Sequence, residues 1–164
     1  RKEIQPDSEW AALREAQNKA LHLCNTGMAV AIDIGDANDI HPKNKQEVGR
    51  RLSLLALQKT YGKGKVTDIM SYKDYVVEND KVRLIFEGNT KGFQPSDLLT
   101  GFTIAGADHV FYPAKAQIKG NELLVWSPDV SNPVAVRYGW ADNPDCNLYD
   151  RTGLPVAPFR TDCW

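Results

Sequence analysis

Asp36, Asn38, Asp39 and His41 stand together in one short polar segment, Asp36-Ala-Asn-Asp-Ile-His41, soon after a longer apolar run. An imidazole within reach of a carboxylate can take a proton from a hydroxyl nucleophile. The carboxylate fixes the ring tautomer and stabilises the imidazolium as it forms. The same residue types also serve as turn and helix-capping groups, and Pro42 directly after His41 suits a helix start. Spacing alone leaves both readings open.

The neighbouring elements decide where such a loop would sit. Met28-Ala-Val-Ala-Ile-Asp-Ile34 is almost continuously apolar and partly β-branched, and so predicts a buried parallel strand covered on both faces. Loops leaving the C-terminal ends of such strands are where open α/β sheets place their sites. A helix is expected on either side. The first runs from about Glu9 to Leu23, with Trp10, Leu13, Gln17, Ala20, Leu21 and Cys24 at helical spacing and Asp7 or Ser8 as its cap. The second runs from about Lys45 to Thr60, with Val48, Leu52, Leu55 and Lys59 on one face, Leu54 and Leu57 widening it, and Gly62 as its stop.

After Gly62 the helical period ends and short strand-like runs begin, which puts a domain boundary within 62–70. The runs are Asp74 to Val77, Val82 to Phe86, Gly101 to Ala105, Val110 to Lys119, Glu122 to Trp126 and Val134 to Trp140. Asn79-Asp80 and Lys119-Gly-Asn121 mark hairpins. Ala141 to Trp164, with Pro144, Pro155 and Pro158, suits an extended strap over the sheets. The expected fold class is α+β: a helix-strand-helix piece over residues 1–62, then a β-sandwich or jelly roll over 63–164.

Composition narrows the function classes. In 164 residues, 42% are hydrophobic and 25% charged, as in a globular chain. Twenty basic against twenty-one acidic side chains give a net charge of -1 and no basic stripe, so a nucleic-acid partner is not expected. The apolar runs are too short for a membrane span. The chain opens on Arg1 with no leader-like pattern, and reads as a processed or truncated product. Three cysteines without CxxC spacing and three histidines give no metal-ligand pattern, and no cofactor is expected. A Cys146–Cys163 bridge and three reduced thiols both fit.

Longer strings carry a resemblance. Asn25-Thr-Gly-Met-Ala-Val30, Asp33-Ile-Gly-Asp36, Asn38-Asp-Ile-His-Pro42 and Lys45-Gln-Glu-Val-Gly-Arg-Arg-Leu52 are similar to the C-terminal block of sialate O-acetylesterases. So are Gly101-Phe-Thr-Ile-Ala-Gly-Ala-Asp108, Phe111-Tyr-Pro-Ala114, Pro133-Val-Ala-Val-Arg-Tyr-Gly-Trp140, Asn147-Leu148 and Gly153-Leu-Pro-Val-Ala-Pro-Phe-Arg-Thr-Asp162. The resemblance implies the end of an SGNH-type, flavodoxin-like α/β hydrolase domain with β-sandwich parts attached. It also implies removal of O-acetyl groups from sialic acids or related acetylated sugars, and a periplasmic or secreted full-length protein. It makes His41 the general base.

The wider SGNH pattern has Asp three residues before the histidine, where this sequence has Asn38. A neutral amide cannot stabilise an imidazolium, and the corresponding change in serine proteases costs about 10⁴ in turnover. The acid is then Asp39 or Asp36, with Asp39 favoured only by its adjacency to the end of the loop. Ser8, Ser53, Ser71, Ser96, Ser127 and Ser131 all lack a Gly-Asp-Ser or Gly-Gln-Ser setting. The nucleophile and oxyanion donors are therefore expected on an N-terminal hydrolase segment or a complementary chain, and this chain alone is expected to be inactive. Unpaired edges of the strand at Met28 would favour an oligomer. The alternative is a noncatalytic carbohydrate-binding or structural module. Trp126, Tyr138 and Trp140 read as core more than as sugar platforms. Arg137 and Arg160 read as salt-bridged to Asp142 or Asp162 more than as carboxylate receptors, and Asp108 and His109 as turn residues.

Overall fold

Ser8 opens the first helix, α1 (Glu9–Lys19), by accepting a hydrogen bond on Oγ from the Ala11 amide at 3.1 Å. Glu9 in the first turn and Lys19 in the last match the helix dipole. A 3₁₀ turn, Ala20–His22, follows directly, so the two together fill nearly all of the expected helical span. The second helix, α2 (Lys45–Lys59), is capped by Asn44, whose Oδ1 accepts from the Glu47 amide at 3.2 Å. Gly62, at φ +59°, lies just beyond its end. The structure is a computed structural model and describes residues 4–63, 70–88 and 91–164. Most of the expected boundary at 62–70 lies outside the described residues.

The strand expected at Met28 to Ile34 is not present. Residues 26–31 run without strand pairing and a turn follows, closed by the Ile34 amide on the Ala31 carbonyl at 3.2 Å. An apolar run becomes a strand only where a neighbour supplies the ladder, and none of the described strands pairs with this one. Side chains of α2 take carbonyls in and just before it instead: Arg51 Nη1 donates to Val30 O at 2.6 Å and Lys59 Nζ to Thr26 O at 2.8 Å.

The remainder is antiparallel β. The strands are β1 (Ser71–Glu78), β2 (Lys81–Glu87), β3 (Phe102–Ala105), β4 (Phe111–Pro113), β5 (Lys115–Lys119), β6 (Glu122–Trp126), β7 (Ala135–Tyr138) and β8 (Phe159–Arg160). One sheet has the order β1-β2-β6-β5 and the other β4-β3-β7-β8. Both expected hairpin turns form, with Asn79 at φ +55° and Gly120 at φ +65°. The single run expected from Val110 to Lys119 divides at Ala114 into β4 and β5, which belong to different sheets.

Burial alternates along β2 and β6, as it does in strands with one face on a core. Val82, Leu84, Leu123 and Val125 from the first sheet share one cluster with Ile104, Val136, Tyr138 and Phe159 from the second. Strands β3 and β7 are buried at every position. The C-terminal strap packs Leu148, Leu154 and Val156 inside and supplies the short β8. No disulfide joins Cys146 to Cys163. Among the described residues no helix is long and apolar enough to cross a membrane, and no cluster of metal-ligating side chains occurs.

The helical segment is fastened to the sheets at 137–142 and 160. Ser8 Oγ and Gln5 Nε2 donate to the Asp142 carboxylate at 2.7 and 3.0 Å. Arg14 donates to the carbonyls of Gly139, Ala141 and Asp142. The Pro6 carbonyl accepts from Arg137 Nη1 at 3.0 Å and from Trp140 Nε1 at 3.1 Å, and Arg160 forms a two-point ion pair with Glu15.

Candidate functional site

The polar loop between the extended segment and α2 is shaped by two successive side chain to backbone turns. Asp36 Oδ1 accepts from the Asn38 amide at 2.9 Å, and Asp39 Oδ1 accepts from the His41 amide at 2.8 Å. An isolated antiparallel bridge between Asp36 and Asp39 closes the base of the turn. These constraints bring Asp39 Oδ1 to 3.4 Å from His41 Nδ1. A carboxylate on the Nδ1 side leaves Nε2 as the nitrogen available to a hydroxyl. The structure thus brings Asp39 and His41 together, with Oδ1 of Asp36 and of Asp39 each also engaged by the backbone amide two residues on. The His41 side chain is 81% exposed.

Beside the loop lies an open groove of about 960 Å³, lined by Trp10, Leu13 and Leu21, by the apolar stretch 28–32, and by Asp36 and Asp39. The apolar stripe of α1, expected to face a core, faces this groove. Trp10 remains 58% exposed, whereas Ala11 and Ser8 are the buried positions at the start of the helix.

Sequence reasoning missed the groups that tie the loop down. Helix α2 buries Arg51 rather than Leu52, because the face turned inward also carries Leu54 and Leu55, which line one small cleft with Val30, Leu154 and Pro155. Arg51 is 5% exposed and Asp33 10%, and the guanidinium grips the carboxylate at two points, both 2.7 Å. Glu47 Oε1 accepts from Arg51 Nε at 2.8 Å, and the Tyr149 hydroxyl donates to Asp33 Oδ2 at 3.3 Å. Asp33 holds the Arg51 pKa above its ordinary value. Arg50, then Arg51, hold the Glu47 carboxyl down at about 2. Burial, then the Asp33 charge, raise the Tyr149 phenol. The Glu47 to Arg51 spacing, one helical turn apart, and an Asp inside an otherwise apolar run were the available signals.

The remaining conspicuous residues are structural. Arg137 pairs with Asp162 and Arg160 chiefly with Glu15, so neither guanidinium is directed at a ligand. Tyr138 and Trp140 are buried, and Lys81 lies over the Trp126 ring at 5.2 Å. Asp108 Oδ1 accepts from the Val110 amide, and His109, at φ +59°, stacks on Trp164 with ring centroids 3.9 Å apart.

No protein-family model matches the chain. The sialate O-acetylesterase of Rattus norvegicus is 29% identical over 151 residues, and that of Mus musculus 27% over 150. Each alignment covers 82% of this chain and 28% of the relative. The crystal structure of a carbohydrate acetylesterase from Xanthomonas citri superposes with a TM-score of 0.91 at 49% identity, covering 96% of this chain and 37% of that one. The resemblance read from the motifs thus extends over most of the chain, and the chain spans little more than a quarter of the curated relatives' length.

Proposed function

We propose that this chain is the C-terminal, histidine-bearing part of a carbohydrate O-acetylesterase. In this reading residues 1–62 complete an SGNH-type α/β hydrolase unit, and residues 63–164 form a β-sandwich attached to it. The substrate is an O-acetylated sialic acid or a related acetylated sugar, met by the full-length protein in the periplasm or outside the cell. The single observation that carries the reading is Asp39 at 3.4 Å from His41 on the edge of a large apolar groove.

The rest of the hydrolase layers occupy that groove, covering the exposed stripe of α1 and the apolar stretch 28–32, and bring the serine nucleophile and oxyanion donors to the histidine. His41 Nε2 takes the proton as the serine oxygen attacks the acetyl carbonyl, while Asp39 holds Nδ1–H and stabilises the imidazolium. The same proton then goes to the sugar oxygen as it leaves, and water hydrolyses the acetyl-enzyme with His41 again as base.

The test is acetate release from an O-acetylated sialic acid by the full-length enzyme, or by this chain joined with a complementary hydrolase segment. His41→Ala lowers turnover by several orders of magnitude at an unchanged melting temperature, since an exposed loop side chain contributes little burial. The chain by itself releases acetate only at background. Retained turnover in His41→Ala would overturn the assignment.

A further inference from the structure

We infer that Arg51 and Tyr149 are positioning residues that act on His41 through Asp33, so that the C-terminal strap holds the histidine loop in register. This rests on the reading of His41 as the base.

The loop leaves the body of the protein at Asp33 and returns to it at the Asn44 cap of α2. Arg51 stands two turns into the same helix and clamps Asp33 at two points while holding the Val30 carbonyl. Both ends of the loop are therefore fixed to one rigid element, and the turns at Asp36 and Asp39 set the rest of its path. A planar guanidinium fixes both the direction and the distance of a carboxylate, which a lysine ammonium does not.

Tyr149 reaches Asp33 from 116 residues away, from a strap segment whose neighbour Leu148 is buried in the sheet core. Its backbone is held as well: the Tyr149 carbonyl accepts from the Gln94 amide at 2.9 Å, and an isolated bridge pairs Tyr149 with Pro155. The phenol is thus a fixed post from the β part, placed against the anchor of the loop. Loss of the hydroxyl removes one of the two donors on Asp33 Oδ2 and lets the loop base drift, while the helix clamp survives.

The test uses the full-length enzyme with Tyr149→Phe and Arg51→Lys, each compared at matched folded fraction. A base displaced by about 1 Å costs up to roughly a hundredfold. Both variants are accordingly expected to lower kcat by about ten- to a hundredfold, with KM within about twofold of the parent. In ring-labelled protein the His41 resonances shift or broaden, while those of His22 and His109 stay in place, which a general loss of stability would not produce. A wild-type kcat and unmoved His41 resonances in Tyr149→Phe would overturn the inference even if His41→Ala is inactive. Full turnover in His41→Ala would instead remove the reading on which it rests.

Discussion

The Arg137–Asp162 pair gives the sharpest stability prediction. The Arg137 and Asp162 side chains are 4% and 0% exposed, and the two meet through two hydrogen bonds of 2.8 Å each. The guanidinium also donates to the Pro6 carbonyl and packs over Phe111 at 4.1 Å and Trp140 at 5.0 Å. Arg137→Met keeps most of the stem and removes the charge. An exposed pair would be worth under about 1 kcal/mol, whereas stripping one partner from a buried pair costs about 3–5 kcal/mol. Asp162 retains Arg160 at 3.6 Å, and Pro6 retains Trp140, so the lower end applies, about 3 kcal/mol. For a chain of this size that lowers Tm by about 6–12 °C. Adding Asp162→Asn removes the stranded charge and recovers about 1–3 kcal/mol relative to additivity. Urea unfolding followed by circular dichroism, with the slope unchanged, reads both effects. A single-variant loss below about 1 kcal/mol, or a double variant equal to the sum of the singles, would refute a buried pair that pins both ends of the described chain.

Asp39→Ala lowers acetate release by the full-length enzyme far more than Asp36→Ala at matched folded fraction, because it is Asp39 that stands beside the ring. The reverse order in steady-state kinetics transfers the acid role to Asp36. The Glu47 carboxyl lies at about 2 in the fold against an ordinary 4.5, so its contribution is complete above about 4.5 and is lost as pH falls towards 2. Glu47→Gln should flatten that part of the curve of urea midpoint against pH, and an unchanged curve counts against the ion pairs with Arg50 and Arg51.

Much of the fold was legible because it is local. The spans of α1 and α2, a cap at Asp7 or Ser8 and the two hairpin turns follow from residues a few positions apart, and so do β2 and β6 with their alternating burial. What failed depends on distant partners. The apolar run from Met28 reads as a strand, yet none of the described strands pairs with it, and its Val30 carbonyl goes to Arg51. Helix α2 turns Arg51 inward because Asp33 meets it there, which no hydrophobic period reveals. Phe159–Arg160 forms β8 only because β7 presents an edge. At the candidate site, Asp39 and His41 are two residues apart and their pairing was legible. The Tyr149 link to Asp33 was not, and neither was the capture of a backbone carbonyl at Pro6, since an acceptor common to every residue leaves no mark in a sequence.

The Pro6 anchor also sets an order of events during synthesis. Arg137 and Trp140, which hold its carbonyl, come 131 and 134 residues later. At about 5–20 residues per second, a ribosome takes roughly 7–26 s to reach Arg137 after making Pro6. Throughout that interval α1, at 11 residues, is too short to persist alone in water and lacks its anchor to the β part. Helix α1 is therefore docked by residues made well over a hundred positions later, and a nascent chain stalled before β7 carries the Pro6 carbonyl without either of the donors that hold it.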